Sequence, residues 1–131
     1  MKFNSQICTS REQSERLLAL GLKKETADMY YSYDIICAKP YYKVVEFMNG
    51  CVPEDIFPAW SLHRLIEMMP KNIAIDGDTA YPLQIQKRSD GKWCVGYQGW
   101  YDCVGDLYDS VIWIYQLLIS EGYLDEFCNK G

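Results

Sequence analysis

The sequence predicts an α+β fold in which an antiparallel sheet of three to four strands, including one hairpin, is packed by about three helices. Three observations favour this class. Amphipathic segments that follow capping residues indicate helices beginning near residues 11, 62 and 107. Two alternating segments on either side of an Asp-Gly pair indicate the hairpin. Helices and strands do not alternate regularly along the chain as they do in a parallel doubly wound fold, so we expect antiparallel pairing.

The first helix is predicted over residues 11–20 by signals at both of its ends. Ser10 can accept a hydrogen bond from the backbone of Gln13, and the Gln13 side chain can reach back to Ser10, which is the capping-box arrangement. Gly21 follows the last apolar residues and supplies the left-handed conformation that ends many helices.

The segments after this helix predict a strand, an ambiguous element and a loop. Residues 29–36 are rich in aromatic and β-branched side chains, which suit a half-buried strand. Residues 41–48 fit a helical period, yet their paired tyrosines and paired valines favour a strand. We expect a strand there and keep a helix as the alternative. Glycine and two prolines predict a loop over residues 50–59.

The second helix is predicted to begin after Ser61, which can cap it, and to end before Pro70. The hairpin joins residues 81–87 to residues 92–97, with Gly91 at positive φ in the turn. Alternation along these strands predicts an inward-facing set that consists of Leu83, Ile85, Trp93, Val95 and Tyr97.

The third helix is predicted to begin after Asp106 and to end at Gly122. Its apolar residues cover a wide arc, which indicates the central helix of the core. A chain of 131 residues with 49% hydrophobic residues can bury one core, so we expect a single domain over residues 1–131.

Composition limits the partners and the cellular compartment. The net charge of -5 disfavours nucleic acid, because binding to phosphates depends on clustered Lys and Arg. No stretch reaches the length of uncharged apolar residues that a membrane span needs, and no secretory signal is visible, so we expect a cytoplasmic protein.

The cysteines are expected to be free thiols. The chain has six cysteines and one histidine, His63, and its two nearest cysteines are Cys94 and Cys103. Zinc sites usually offer ligands in closer pairs than these, so we expect no metal ion and no other cofactor.

Three stretches of the sequence carry a family resemblance. They are Ser10-x-x-Gln13-Ser14 with the leucines that follow it, then Thr26-Ala27-Asp28-Met29, and then the block that runs Pro58-Ala59-Trp60-Ser61-Leu62. Together they resemble a family of small uncharacterised proteins encoded by gut Bacteroidales and by their phages and mobile elements. The similarity runs over most of the chain, and the Trp-Ser-Leu block is its most specific part. The resemblance implies a genomic context and no particular reaction.

Two functions are consistent with these observations. The first is a non-enzymatic binding or inhibitor protein, encoded by a mobile element, with a protein partner that the sequence does not identify. Its recognition residues are predicted to be Trp100 and Tyr101, in an exposed loop over residues 98–103, although Trp100 could instead cap the core.

The rival function is a small enzyme or a ligand-sequestering domain with a pocket between helix and sheet. This function predicts that polar side chains converge in one cavity. The candidates are Asp28, Tyr33, His63 and Asp102.

Overall fold

The computed structural model describes residues 6–33, 35–74, 79–98 and 100–129, with the side chains of residues 100–105 left undescribed. Helices and antiparallel sheets occur together, so the predicted α+β class is confirmed. The strands of the described residues are distributed over three small sheets. The chain divides into two compact units, Met1–Leu65 and Ile66–Gly131. A single domain stays a prediction.

The first unit is built on one three-stranded antiparallel sheet with strand order β2-β1-β3. A short 3-10 turn, Lys24–Thr26, precedes the sheet. The elements are α1 (Arg11–Ala19), β1 (Met29–Ser32), β2 (Ile35–Cys37), α2 (Tyr41–Phe47) and β3 (Ile56–Ala59), and α3 (Leu62–Met68) begins at the end of this unit.

Both ends of α1 form as the sequence predicts. The backbone N–H of Gln13 donates to Ser10 Oγ over 3.1 Å, and the N–H of Ser10 donates to Gln13 Oε1 over 3.0 Å. The two reciprocal bonds satisfy donors that the first turn of a helix leaves without partners. Gly21 follows the helix with φ of 105°, the left-handed region predicted for it.

The segment predicted as one strand over residues 29–36 is a hairpin of two short strands, so that prediction was wrong in extent. Tyr33 has φ of 55° and ends β1, and the chain returns as β2. The register pairs Tyr30 with Cys37 and Ser32 with Ile35. A tyrosine at positive φ is uncommon, and the aromatic composition of the segment conceals the turn.

Residues 41–48 contain helix α2, so the expected strand was wrong and the helical alternative is confirmed. The first helical residue, Tyr41, is buried and donates its backbone N–H to the carbonyl of Ala27 over 3.0 Å. Packing against the turn that precedes β1 stabilises the helical period over the strand propensity of paired valines, because tertiary contacts override local preference.

The loop predicted over residues 50–59 ends in strand β3, so the prediction was wrong for its last four residues. Pro58 lies in this strand opposite Tyr30 of β1. Proline lacks the N–H that a central strand needs, but β3 lies at one edge of the sheet, where proline is tolerated.

The predicted second helix corresponds to α3, and its cap is confirmed. Ser61 Oγ accepts a hydrogen bond from the backbone N–H of Arg64 over 3.1 Å. The helix ends at Met68, two residues before Pro70.

The second unit contains a two-stranded sheet, a three-stranded sheet and a long helix. The small sheet pairs β4 (Asn72–Ile73) with β5 (Tyr81–Pro82), and the larger has the order β6-β7-β8, with β6 (Gln84–Lys87), β7 (Trp93–Tyr97) and β8 (Trp100–Gly105). Helix α4 (Leu107–Ser120) packs against β7 and β8.

The predicted hairpin is confirmed in β6 and β7, and Gly91 has the expected positive φ, 87°. The inward-facing set is only partly right. Val95 and Tyr97 are buried, whereas Ile85 is 38% exposed and every residue of β6 is exposed. β7 is the central strand of this sheet, whereas β6 lies at its edge. The alternation of apolar and polar residues along β6 therefore does not indicate a buried face.

The exposed loop predicted over residues 98–103 was wrong, because most of that segment belongs to β8. Trp100 pairs with Tyr97, and Tyr101 pairs with Gly96. The register pairs Tyr97, the last residue of β7, with Trp100, the first residue of β8, so the two strands form a hairpin. In the sequence, Gly99 is a turn signal as well as a break in the alternation.

Helix α4 follows Asp106, as predicted, and Gly122 lies just past its end with φ of 82°. Its buried apolar side chains recur at helical spacing and cover a wide arc of the helix. They are Tyr108, Val111, Ile112, Ile114, Tyr115 and Leu118.

Cys94 is disulfide-bonded, so the prediction of six free thiols was wrong. Four others form no disulfide: Cys8, Cys37, Cys51 and Cys128. The β7–β8 register is irregular between Trp93 and Val95, which places the backbone of residues 103 and 104 beside Cys94. Residue spacing does not reveal this bond, because the bond depends on how β7 and β8 pair.

In the part of the chain that the structure describes, no helix combines the length and the apolar character that a membrane span requires.

The disulfide predicts the thiol content of unreduced protein. After denaturation without reductant, an Ellman titration should count four thiols, corresponding to the four cysteines that form no disulfide. The count should rise to six after reduction, since the chain has six cysteines. A count of six before reduction would contradict the disulfide at Cys94.

The turn between β6 and β7 predicts that Gly91→Val destabilises the protein by about 1 kcal/mol or more, because a β-branched residue resists positive φ. Gly91→Asn is the matched control, since asparagine adopts the left-handed region more readily. No neighbouring atom lies within 4 Å of an added Cβ, so backbone strain alone separates the two variants. Urea unfolding measures the difference, and equal stabilities would show that the turn does not impose this conformation.

Candidate functional site

The predicted recognition residues Trp100 and Tyr101 lie on strand β8, in the second unit. Their backbones pair with Tyr97 and Gly96. Their side chains lie outside the described part of the chain, so a role in recognition stays a prediction.

The four residues predicted to share a pocket do not converge as a group in the described structure. Asp28 precedes β1 and Tyr33 follows it. Five residues of extended chain span about 17 Å, so these two residues lie far apart. Tyr33 is 72% exposed at the turn, and His63 is exposed on α3. Asp102 belongs to β8, where side chains are not described.

Asp28 has a structural function at the start of α3. Its carboxylate accepts hydrogen bonds from the backbone N–H of Ser61 over 2.8 Å and from the Ser61 hydroxyl over 2.5 Å. The same hydroxyl oxygen accepts from Arg64, so Asp28 orients the residue that caps the helix. The sequence marked Asp28 as a candidate for chemistry, and the structure engages both of its oxygens in folding contacts.

Residues from three separate parts of the chain meet around Trp60, whose side chain is 0% exposed. The indole Nε1–H donates to Thr26 Oγ1 over 2.9 Å, and the backbone N–H of Trp60 donates to Thr9 Oγ1 over 3.1 Å. Thr9 Oγ1 lies 2.8 Å from Ser14 Oγ, and the N–H of Thr9 donates to the Trp60 carbonyl over 2.8 Å. These residues therefore hold the first unit together.

Cys8 lies beside this network and is unsuited to nucleophilic chemistry. Its Sγ donates to Tyr31 OH over 3.5 Å, and Tyr31 OH donates to the carbonyl of Thr9 over 2.9 Å. Burial raises the pKa of the Cys8 thiol, and the nearby Asp28 carboxylate raises it further, although the Tyr31 contact acts in the opposite direction. A thiol with a raised pKa forms little of the reactive thiolate at neutral pH.

A groove on the surface of the first unit is the best candidate for a functional site. It has a volume of about 520 Å³, which lies in the range of ligand-binding clefts. Because its walls come from β1, from α2 and from the residues that precede α2, we name it the α2 groove. Its lining residues are Tyr30, Lys39, Pro40, Lys43, Val44, Phe47 and Met48.

The chemistry of the groove changes along α2. Lys43 and Phe47 are four residues apart on α2, so they lie on one side of the helix. Lys39 precedes the helix and lines the same groove. Two ammonium groups thus precede a large aromatic side chain. Phe47 is 85% exposed, which is unusual for an apolar residue of its size.

The apolar surface continues from the groove onto β2. The register pairs Tyr30 with Cys37, and Ile35 lies two residues from Cys37, so Ile35 shares the face of Tyr30. Ile35 is 68% exposed. A hydrogen bond with Cys37 raises the pKa of Tyr30, and desolvation adds to the increase.

A smaller cavity of about 340 Å³ in the same unit is lined in part by Tyr41. The guanidinium of Arg11 stacks over the ring of Phe57 at 5.0 Å. Burial raises the pKa of Tyr41, and the nearby Glu25 carboxylate adds to the shift. The lining of this cavity contains both positive and negative side chains, namely Arg11, Lys24 and Glu54. Because Arg11 already covers the ring of Phe57, less apolar surface remains for a ligand here than in the α2 groove.

The net charge is unevenly distributed between the two units. Residues 1–65 contain eight Lys and Arg and eight Asp and Glu, whereas residues 66–131 contain five and ten. The whole excess of negative charge therefore belongs to the second unit. The α2 groove lies in a unit with no net charge.

Sequence analysis missed the α2 groove because it favoured a strand for residues 41–48. The helical alternative for residues 41–48 contains part of the signal, because it places Lys43 and Phe47 on one side of a helix. Tyr30 lies on the opposite wall of the groove, and it can be recognised as a lining residue only once the hairpin of β1 and β2 is known.

Among the described residues, no group of three or more His, Cys, Asp or Glu side chains is arranged to hold a metal ion. In comparisons with known proteins, no family model, curated protein or solved structure matches the chain.

The network around Trp60 predicts that Thr26→Val lowers the free energy of unfolding by about 1 to 3 kcal/mol, because the buried indole N–H loses its acceptor. Thr26→Ser keeps the hydroxyl and should retain most of the stability. Denaturant unfolding followed by tryptophan fluorescence measures both variants. Equal losses in the two variants would show that the methyl group of Thr26 matters more than its hydrogen bond.

Proposed function

We propose that the chain is a non-enzymatic binding or inhibitor protein that recognises a protein partner through the α2 groove. The observation that carries this proposal is the exposure of Phe47 and Ile35 beside a groove of 520 Å³. Large apolar side chains that remain exposed together typically mark an interaction surface, and aromatic residues are favoured anchors there.

The non-enzymatic part of the proposal rests on how the polar side chains are used. Four polar side chains form hydrogen bonds with one another or with Trp60 and its neighbours, so these side chains stabilise the fold. They are Asp28, Ser61, Thr9 and Thr26. The pKa of Cys8 is raised, which disfavours a nucleophilic role for that thiol. The groove itself contributes lysines and apolar side chains.

The biological setting is part of the same proposal. The resemblance to proteins of Bacteroidales phages and mobile elements supports a role for a mobile element against a host factor. A cytoplasmic location also belongs to the proposal. The disulfide at Cys94 counts against that location, because cytosolic proteins rarely retain disulfides.

A ligand-sequestering domain is the second candidate, since the volume of the α2 groove suits a small molecule. The exposure of Phe47 and Ile35 favours a protein partner over a small molecule. Phe47 is 85% and Ile35 is 68% exposed, so both project beyond what an enclosed small ligand would cover. A protein surface can cover both side chains at once.

The proposal predicts that Phe47→Asp abolishes partner capture without unfolding the protein, because Phe47 is almost fully exposed. Tagged wild-type and variant proteins are incubated with lysate of the native host, and captured proteins are quantified by mass spectrometry. Ile85→Asp is the matched control, since Ile85 is exposed on β6 in the second unit. A partner recovered equally by wild type and Phe47→Asp would contradict recognition through the groove.

A further inference from the structure

We infer that the α2 groove binds an extended segment of its partner in which an acidic side chain lies two residues from a large apolar one. This inference rests on the proposed function and specifies the chemistry of the partner. It follows from the charges that line the groove, from their distance to Phe47, and from the position of β2 at the edge of its sheet.

The first argument is charge complementarity. Both charged side chains that line the groove are lysines, Lys39 and Lys43, and both are exposed. Within the described residues, neither has an ion-pair partner. A carboxylate is the side chain that neutralises such a pair, and complementary charge contributes to both the rate and the specificity of association.

The net charge of -5 does not oppose this choice of partner. The excess of negative charge belongs to residues 66–131, and residues 1–65 have no net charge. Both charged side chains that line the groove are lysines, so an acidic side chain inside it would have positive charges as its nearest charged neighbours among the lining residues.

The second argument is distance. Lys43 and Phe47 are four residues apart on α2, which corresponds to a rise of about 6 Å along the helix axis. In an extended chain, side chains two residues apart point to the same face and lie about 7 Å apart. An acidic residue and an apolar residue in that relation can contact Lys43 and Phe47 together.

The third argument is the edge of the sheet. β2 is the terminal strand of the order β2-β1-β3, so one side of its backbone has no strand partner in that sheet. Ile35 of β2 lies on the same face as Tyr30, which lines the groove. An extended segment can therefore lie along β2 while its side chains enter the groove, as in other cases of strand addition to an exposed edge.

The test begins with a random library of short peptides displayed on phage and selected on wild-type protein. We expect enriched peptides to carry Asp or Glu two residues from Phe, Leu, Ile or Trp. Fluorescence anisotropy then measures the affinity of the most enriched peptide for each variant. Circular dichroism confirms that every variant is folded.

Charge reversal is the decisive variant. Lys39→Glu combined with Lys43→Glu should weaken binding of the selected peptide by about tenfold or more, which corresponds to about 1.4 kcal/mol. Selection repeated on this double variant should enrich Lys or Arg in place of the acidic residue. The matched control, Lys71→Glu with Lys92→Glu, makes the same change in net charge in the second unit and should leave the affinity unchanged.

Each other outcome overturns the inference, and the outcomes separate it from the proposed function. Enriched peptides that lack acidic residues but fail to bind Phe47→Asp would refute the partner chemistry and leave the proposed function standing. Peptides that bind Phe47→Asp as well as wild type would refute both. The absence of any enrichment would also refute the inference.

Two further measurements identify other occupants of the groove. Saturable binding of oleate that is lost in Phe47→Asp, without any enriched peptide, would replace both proposals with ligand sequestration. A concentration-dependent dimer in sedimentation equilibrium that is lost in Phe47→Asp would show that a second copy of the chain covers the groove. That result would likewise overturn the acidic segment as the occupant.

Discussion

Burial of the Trp60 indole imposes the main constraint on the first unit, because an indole N–H removed from water needs an acceptor at a fixed position. Thr26 supplies that acceptor. The hydroxyl oxygen of Thr9 accepts the backbone N–H of Trp60, and the backbone N–H of Thr9 donates to the Trp60 carbonyl. The three residues come from distant parts of the chain. Their contacts fix the N-terminal segment, the turn before β1 and the end of β3 in one arrangement.

The groove depends on the same constraint through a short series of contacts. Thr26 is followed by Ala27, whose carbonyl accepts the N–H of Tyr41, the first residue of α2. The position of the turn that holds Trp60 therefore determines where α2 begins. The lysines and Phe47 of the candidate site lie on the element that this contact positions, so the buried network and the exposed groove are parts of one structure.

Sequence reasoning succeeded where a local interaction determines local structure. The capping box of Ser10 and Gln13, the cap at Ser61 and the positive φ of Gly91 each involve residues within a few positions of one another. It failed where a contact between residues that are distant in the sequence determines the local structure. Residues 41–48 have the composition of a strand and become a helix that packs on a turn preceding β1, and the site could not be predicted without that helix and the hairpin opposite it.

The sheet of the first unit has two different edges, and the difference limits how copies of this protein can polymerise. At one edge, Pro58 in β3 has no N–H to offer a neighbouring strand, whereas β2 at the other edge has no proline. Within this sheet, β2 is therefore the edge that remains open to strand pairing. Two copies joined through β2 would use up that edge in both, so association through this sheet ends in a closed pair instead of propagating into a fibre.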